Sequence, residues 1–211
     1  MIVLHDYWRS SSAYRLRIAL NLLGLPYESR PVNLLANEQR GPDNLARNPQ
    51  GLVPTLEIDG LRLTQSVAIV EYLDETRQAG FLPADAAGRA RVRALAHAIA
   101  MEIQPVCNLR VARYATERSS GALGQEDWMR HFITLGLQDF EAMLGDGASG
   151  RFCHGDQVTL PDLCLVPQVH NARRWGVDLS PLPRLAAIAK ALEDLPAVRA
   201  AHPDAVRPAR A

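Results

Sequence analysis

The 211 residues exceed the ~100–150 typical of one domain, so one large or two small domains are expected, each able to bury a core. Hydrophobic residues at 47% and charged residues at 22%, with a mean hydropathy of −0.10, exclude disordered and fibrous classes. Lys+Arg 23 balance Asp+Glu 23, which argues against nucleic acid as a partner, because phosphate contacts call for a basic surplus. The basic residues are nearly all Arg, whose planar fork matches carboxylates, so the composition suits a small acidic ligand.

Cys107, Cys153 and Cys164 are odd in number and lack CxxC spacing, so neither a disulfide framework nor a metal site is expected, and the compartment reads as reducing. The start Met1-Ile2-Val3-Leu4-His5-Asp6 has no basic leader, and no apolar run approaches the ~20 residues of a membrane span. A cytoplasmic protein with no membrane partner is the expectation.

Along the chain, Ile2-Val3-Leu4 reads as a strand and Ser10-Ser11-Ser12 as a cluster of helix N-caps. From Ala13 the positions Leu16, Ala19, Leu20 and Leu23 form one apolar face, Arg15 and Arg17 fall off it, and Gly24 marks the stop. Tyr27 to Val32 reads as a second strand, followed to Asn48 by a polar loop or short helix. Gln50 to Ile58, Asp59-Gly60 and Leu61 to Leu63 read as strand, turn and strand, and a helix runs from Ser66 to about Thr76. Gly80, Pro83, Asp85 and Gly88 mark a linker over 79–88, separating a domain at 1–78 from one at 89–211.

Beyond the linker the pattern is helical: Arg89 to about Arg118, Gln125 to Leu144, Thr159 to about Trp175, and Pro183 to Leu192. Pro105 should kink or break the first of these. Thr159-Leu160-Pro161-Asp162 has the form of a capping box, and the tail from His202 should fray. The fold class is therefore α+β: a thioredoxin-like βαβ-ββα domain with a mixed four-stranded sheet, then an all-α helical bundle.

A thioredoxin-like half can do redox chemistry or bind a thiol ligand. Redox work needs a cysteine at the first strand-to-helix turn. That turn is Trp8-Arg9-Ser10-Ser11-Ser12, and no cysteine precedes Cys107, which excludes disulfide exchange. Serines at a helix N-terminus can instead hold a ligand thiolate, whose pKa the helix dipole lowers; the plain alternative is that they only cap the helix. Val53, ahead of Pro54, must be extended, which leaves its main chain available to a peptide-like ligand. Ser66 opens a helix and offers an anion site, with Gln65 beside it.

The run Ser10-Ser11-Ser12-Ala13-Tyr14-Arg15-Leu16-Arg17-Ile18-Ala19-Leu20 resembles the zeta-class glutathione transferase signature Ser-Ser-Cys-x-Trp-Arg-Val-Arg-Ile-Ala-Leu. Asn48-Pro49-Gln50-Gly51-Leu52-Val53-Pro54, Gln65-Ser66, Ile103-Gln104-Pro105 with Asn108, and Leu165-Val166-Pro167-Gln168 resemble it too, in order along nearly the whole chain. The family includes isomerases of maleylacetoacetate and maleylpyruvate that use glutathione as a catalyst. The resemblance implies that Ser10, Ser11 and Ser12 surround the glutathione sulfur, that Val53 and Pro54 meet its cysteinyl main chain, and that Gln65 and Ser66 take its γ-glutamyl end. It further implies Gln104 and Asn108 as glutathione contacts, and a homodimer. Ser12 and Tyr14 depart from the family's Cys and Trp.

Cis-to-trans isomerisation of an activated C=C can proceed by reversible thiolate addition, which leaves a rotatable single bond. It needs a thiolate at neutral pH, cations for the carboxylates of a small dianionic keto acid, and stabilisation of the enolate. Arg9, Arg110 and Arg174 are the candidates for that clamp, with Arg173 the alternative to Arg174. The other readings are a transferase or dehalogenase for small α-halo acids and a non-catalytic glutathione-fold binding protein. His5 and Cys107 are read as packing groups, and Trp128 and Trp175 as core or interface.

Overall fold

The structure is a computed structural model that describes residues 1–208. The chain divides into two compact units, one of Met1–Phe81 joined by the residues from Glu193 onward, the other of Leu82–Leu192. The sequence reading places the boundary in the same stretch, but its linker over 79–88 includes the start of the helix at Ala86, and it gives everything from residue 89 to the end to the helical domain. Helix α10 (Pro196–Ala201) instead packs on α1 (Ser11–Leu22), because Arg17 Nε donates to Ala201 O at 3.1 Å and Asn21 Nδ2 to Ala197 O at 3.1 Å. The fraying expected from His202 is replaced by the short helix α11 (Pro203–Val206), whose Asp204 N–H donates to His202 Nδ1; residues 209–211 lie outside the described ones.

The first unit holds the mixed sheet that the βαβ-ββα pattern implies. Its strands are β1 (Val3–Asp6), β2 (Glu28–Pro31), β3 (Thr55–Ile58) and β4 (Leu61–Thr64), in the order β2-β1-β3-β4. Strand β1 runs parallel to β2 and antiparallel to β3, which turns at Asp59-Gly60 into β4. Both turn residues have positive φ, 53° and 77°, as a two-residue hairpin turn of this hand demands. The loop after β2 carries a short helix α2 (Pro42–Arg47), and α3 (Ser66–Arg77) follows the hairpin.

Helix α1 departs from its expected one-sided character. Every residue from Ala13 to Leu20 is buried, including Arg15 and Arg17 at 1% exposure each, since α3 and α10 also pack on this helix. Arg17 survives burial because it is fully engaged: Nη1 reaches Asp6 Oδ2 at 2.7 Å and Nη2 reaches Trp8 O at 2.9 Å. Ser29 Oγ donates to the other Asp6 oxygen at 2.8 Å. His5 is a packing residue as read, 3% exposed, 3.2 Å from Glu57 Oε1, with burial lowering its pKa from 6.5.

In the second unit the long helix expected over 89–118 is interrupted. Helix α4 (Ala86–His97) opens on Asp85, whose Oδ1 accepts from Gly88 N–H at 2.7 Å, and runs into a π-helical turn at Ala98–Ile103. Gln104 N–H donates to Ile99 O there. The wider turn just ahead of Pro105 relieves the clash a proline ring makes with the carbonyl one turn back. A β-carbon at Gly136 would lie 2.3 Å from Ile103 Cγ1, so only glycine lets the helix over Gln125–Met143 pass this close to the turn. The rest is α5 (Gln104–Val106), α6 (Leu109–Arg118), α7 (Gln125–Met143), α8 (Leu160–Arg174) and α9 (Pro183–Glu193). The capping box at α8 is formed: Asp162, 0% exposed, accepts from Thr159 N–H (2.8 Å) and Oγ1 (2.9 Å) and from Cys153 N–H (2.9 Å). No helix among the described residues is long and apolar enough to cross a membrane.

All three cysteines are buried; burial pushes the Cys107 thiol up to about 11 and raises that of Cys153 well above its ordinary value. Near neutral pH, iodoacetamide should therefore leave them unmodified in the native protein while alkylating all three in denaturant; fast native labelling of Cys107 would contradict this. Arg17→Met, which strands the Asp6 carboxylate, should destabilise the protein by about 3–5 kcal/mol in urea denaturation, and a loss under about 1 kcal/mol would show that the pair matters little.

Candidate active site

Strand register gathers three chain segments at one edge of the sheet. His5 pairs with Thr55, and Thr55 with Thr64. The turn leaving β1 (residues 7–10), the approach to β3 (Val53, Pro54) and the exit from β4 (Gln65, Ser66) therefore emerge side by side. These segments, with the first turn of α1, hold eight of the residues singled out from the sequence: Arg9, Ser10, Ser11, Ser12, Val53, Pro54, Gln65 and Ser66.

In the first segment, Ser10 N–H donates to Tyr7 O at 2.8 Å, which closes the turn. Ser10 is the N-cap of α1, and its Oγ accepts from Ala13 N–H at 3.2 Å. Capping and thiol binding do not compete at this hydroxyl. With its oxygen filled by Ala13, Ser10 still has its own proton to donate outward. Ser11 and Ser12 form the first turn, whose N–H groups no helical carbonyl can satisfy. All three serines are half-buried. Arg9 folds back on its neighbours, with Nη2 donating to Tyr7 Oη at 3.1 Å and its guanidinium 5.0 Å from the Trp8 ring. Arg207 lies at 5.0 Å from the same ring.

In the second segment the Val53–Pro54 peptide is cis. Among the described residues the Val53 main chain takes no hydrogen bond, so its N–H and C=O can pair with an extended ligand as an added strand. Asn48, 2% exposed, braces this loop by donating to Leu52 O at 3.1 Å and accepting from Gln50 N–H at 3.0 Å.

The third segment is strained. Gln65 sits at φ 66°, ψ 100°, outside the usual regions for a side-chain-bearing residue, and its Nε2 donates to Gln50 Oε1 at 2.8 Å. Ser66, 6% exposed, is the first residue of α3 and its Oγ accepts from Arg15 Nη1 at 2.5 Å. The burial of Arg15 is something that pattern reading passes over: helical phase puts it off the apolar face, and only the packing on α1 reveals it as interior. The one sequence signal for it is its place inside the family signature.

The second unit carries the remaining candidates on its own elements. Gln104 is half-buried directly after the π-turn. Asn108 is the N-cap of α6, its Oδ1 accepting from Arg110 N–H at 3.1 Å, which leaves its amide NH₂ for another partner. Arg110 is exposed on the first turn of α6. Arg173 and Arg174 are the last two residues of α8, both exposed, with Arg174 stacked 5.1 Å from the Trp175 ring. Trp128 is half-buried and donates to Val106 O at 3.0 Å, as suits a packing residue.

Comparison with known proteins agrees with this geometry. Residues 2–75 match the glutathione S-transferase N-terminal domain family. A maleylacetoacetate isomerase of Rhizobium meliloti is 58% identical over 208 residues, covering 98% of each chain. The holo structure of a maleylpyruvate isomerase, a bacterial glutathione S-transferase of the zeta class, superposes with a TM-score of 0.91 at 43% identity, covering 96% of this chain and 97% of that one. A maleylacetoacetate isomerase of Methylobacterium extorquens, solved with bound malonate and glutathione, gives a TM-score of 0.91 at 39% identity over 96% and 97% of the two chains. On sequence and fold alike, the chain belongs to the zeta-class glutathione transferase family of maleylacetoacetate and maleylpyruvate isomerases.

Proposed function

We propose that the protein is a glutathione-dependent cis–trans isomerase of maleylacetoacetate or maleylpyruvate, in the breakdown of aromatic compounds. The observation that carries the reading is the single sheet edge where a serine-capped helix N-terminus, the unpaired main chain of Val53 and the buried Ser66 hydroxyl emerge together. These features fit a cysteinyl peptide with a carboxylate at one end. The relatives named above support the same reading, the Methylobacterium extorquens enzyme also by the malonate and glutathione it holds.

Glutathione, when bound, supplies a thiolate that adds reversibly to the cis double bond and frees it to rotate. The chain's part is to hold and polarise. The α1 N-terminus and the serine hydroxyls favour the thiolate over the thiol, since dipole and donors both select negative charge. Val53 and Pro54 align the cysteinyl segment, while Gln65 and Ser66 anchor the γ-glutamyl end. Gln104 and Asn108 are assigned to glutathione as well, on the family resemblance. Arg9, Arg110 and Arg174 are assigned to the substrate carboxylates, where a guanidinium offers two parallel donors and stabilises charge that moves onto the conjugated carbonyl. The family also implies a homodimer.

Each substrate's ultraviolet absorbance, followed with enzyme and a trace of glutathione, should show turnover with the glutathione unconsumed. No turnover of either by a protein that binds glutathione would overturn the reading in favour of a conjugating or dehalogenating transferase. Ser10→Ala, Ser11→Ala and Ser12→Ala should separate the thiolate donor from its neighbours, with kcat falling about a hundredfold at the donor and much less at the others. Arg174→Ala should raise KM for the keto acid about tenfold or more, and an unchanged kcat/KM would take Arg174 out of the clamp.

A further inference from the structure

We infer that Arg15 is a positioning residue that acts through Ser66: by hydrogen bonding to this hydroxyl from the protein interior, it turns Ser66 into an outward donor for the γ-glutamyl carboxylate of glutathione. The inference rests on the proposed glutathione site and adds a residue to it. Arg15 is 1% exposed, so the ligand cannot touch it, and its route to the site runs through the 2.5 Å contact from Nη1 to Ser66 Oγ.

The chemistry of the pair has one direction. A guanidinium only donates, so at this contact the serine oxygen must accept. A hydroxyl has a single proton, and that proton cannot point back at the Arg15 donor. It is left for an acceptor on the open side. Ser66 is the first residue of α3, where first-turn N–H groups have no helical partner and the dipole favours an anion. A carboxylate is the acceptor that suits all three features. The cation behind the hydroxyl polarises the O–H further, since hydrogen bonds in series strengthen one another in a low-dielectric interior.

Calorimetric titration with glutathione and with γ-aminobutyryl-cysteinyl-glycine, which lacks only the γ-glutamyl α-carboxylate, tests this. The wild-type protein should bind glutathione more tightly than the analogue. Arg15→Met should weaken glutathione binding about tenfold or more and leave the analogue within about twofold, with KM for glutathione rising by the same factor and kcat changing far less. In a Ser66→Ala background the same substitution should cost under about threefold, because its route is gone. Arg15→Lys, a cation and donor of shorter reach, should show an intermediate loss, about threefold, confined to glutathione. Equal losses toward both ligands would mark Arg15 as structural only, and an undiminished effect without the Ser66 hydroxyl would show that it does not act through it; either overturns the inference. Should Arg15→Met not fold, Arg15→Lys decides alone, with a loss equal for both ligands or absent for both overturning it. Wild-type binding of both ligands with equal affinity would overturn this inference and leave the isomerase reading standing, whereas failure to bind glutathione at all would overturn both.

Discussion

The ion pair between Asp6 and Arg17 is the interaction on which the first unit turns. Arg17 joins the end of β1 through Asp6, the turn toward the serines through Trp8 O, and the returning chain through Ala201 O. Ser29 brings β2 to the same carboxylate. A buried ion pair contributes little net stability compared with apolar packing, but its geometry admits few alternatives. In this protein that geometry sets where the chain leaves β1, and hence where α1 begins and aims its N-terminus.

The candidate site uses one device twice. At Ser10 the hydroxyl oxygen is filled by Ala13 N–H, and at Ser66 by Arg15. Each serine is thereby left with its proton for something outside the protein. Two serines placed this way, each at the start of a helix, make an edge suited to anions, as the proposed site for a thiolate and a carboxylate requires. Val53 lies on the approach to the strand between them, its main chain unengaged among the described residues. A γ-glutamyl-cysteinyl peptide has those groups in that order.

Much of this was legible beforehand because it is local. The Asp59-Gly60 hairpin, the Thr159 and Asp162 capping box and the serines ahead of α1 depend on residues within four positions of one another. The break near Pro105 was legible as a break but not as a π-turn, since the widened turn also answers to Ile103 packing against Gly136. The tail differs from its pattern: Pro and charged residues from His202 suggest loose chain, yet the chain just before it is held to the first unit by Arg17 and Asn21 of α1, and Pro203–Val206 is helical.

The sequence by itself determined the fold class, the absence of a redox cysteine at the first turn, and the family, because each of these is written in short runs whose chemistry does not depend on distant neighbours. Only the tertiary structure decided that Arg15 and Arg17 are interior. Helical phase reports which way a side chain points, but not whether a second layer covers that direction, and on α1 both outer faces are covered, by α3 and by α10. Burial is what converts two arginines of a surface pattern into interior anchors of the first unit, since a guanidinium removed from water must find its partners in the protein.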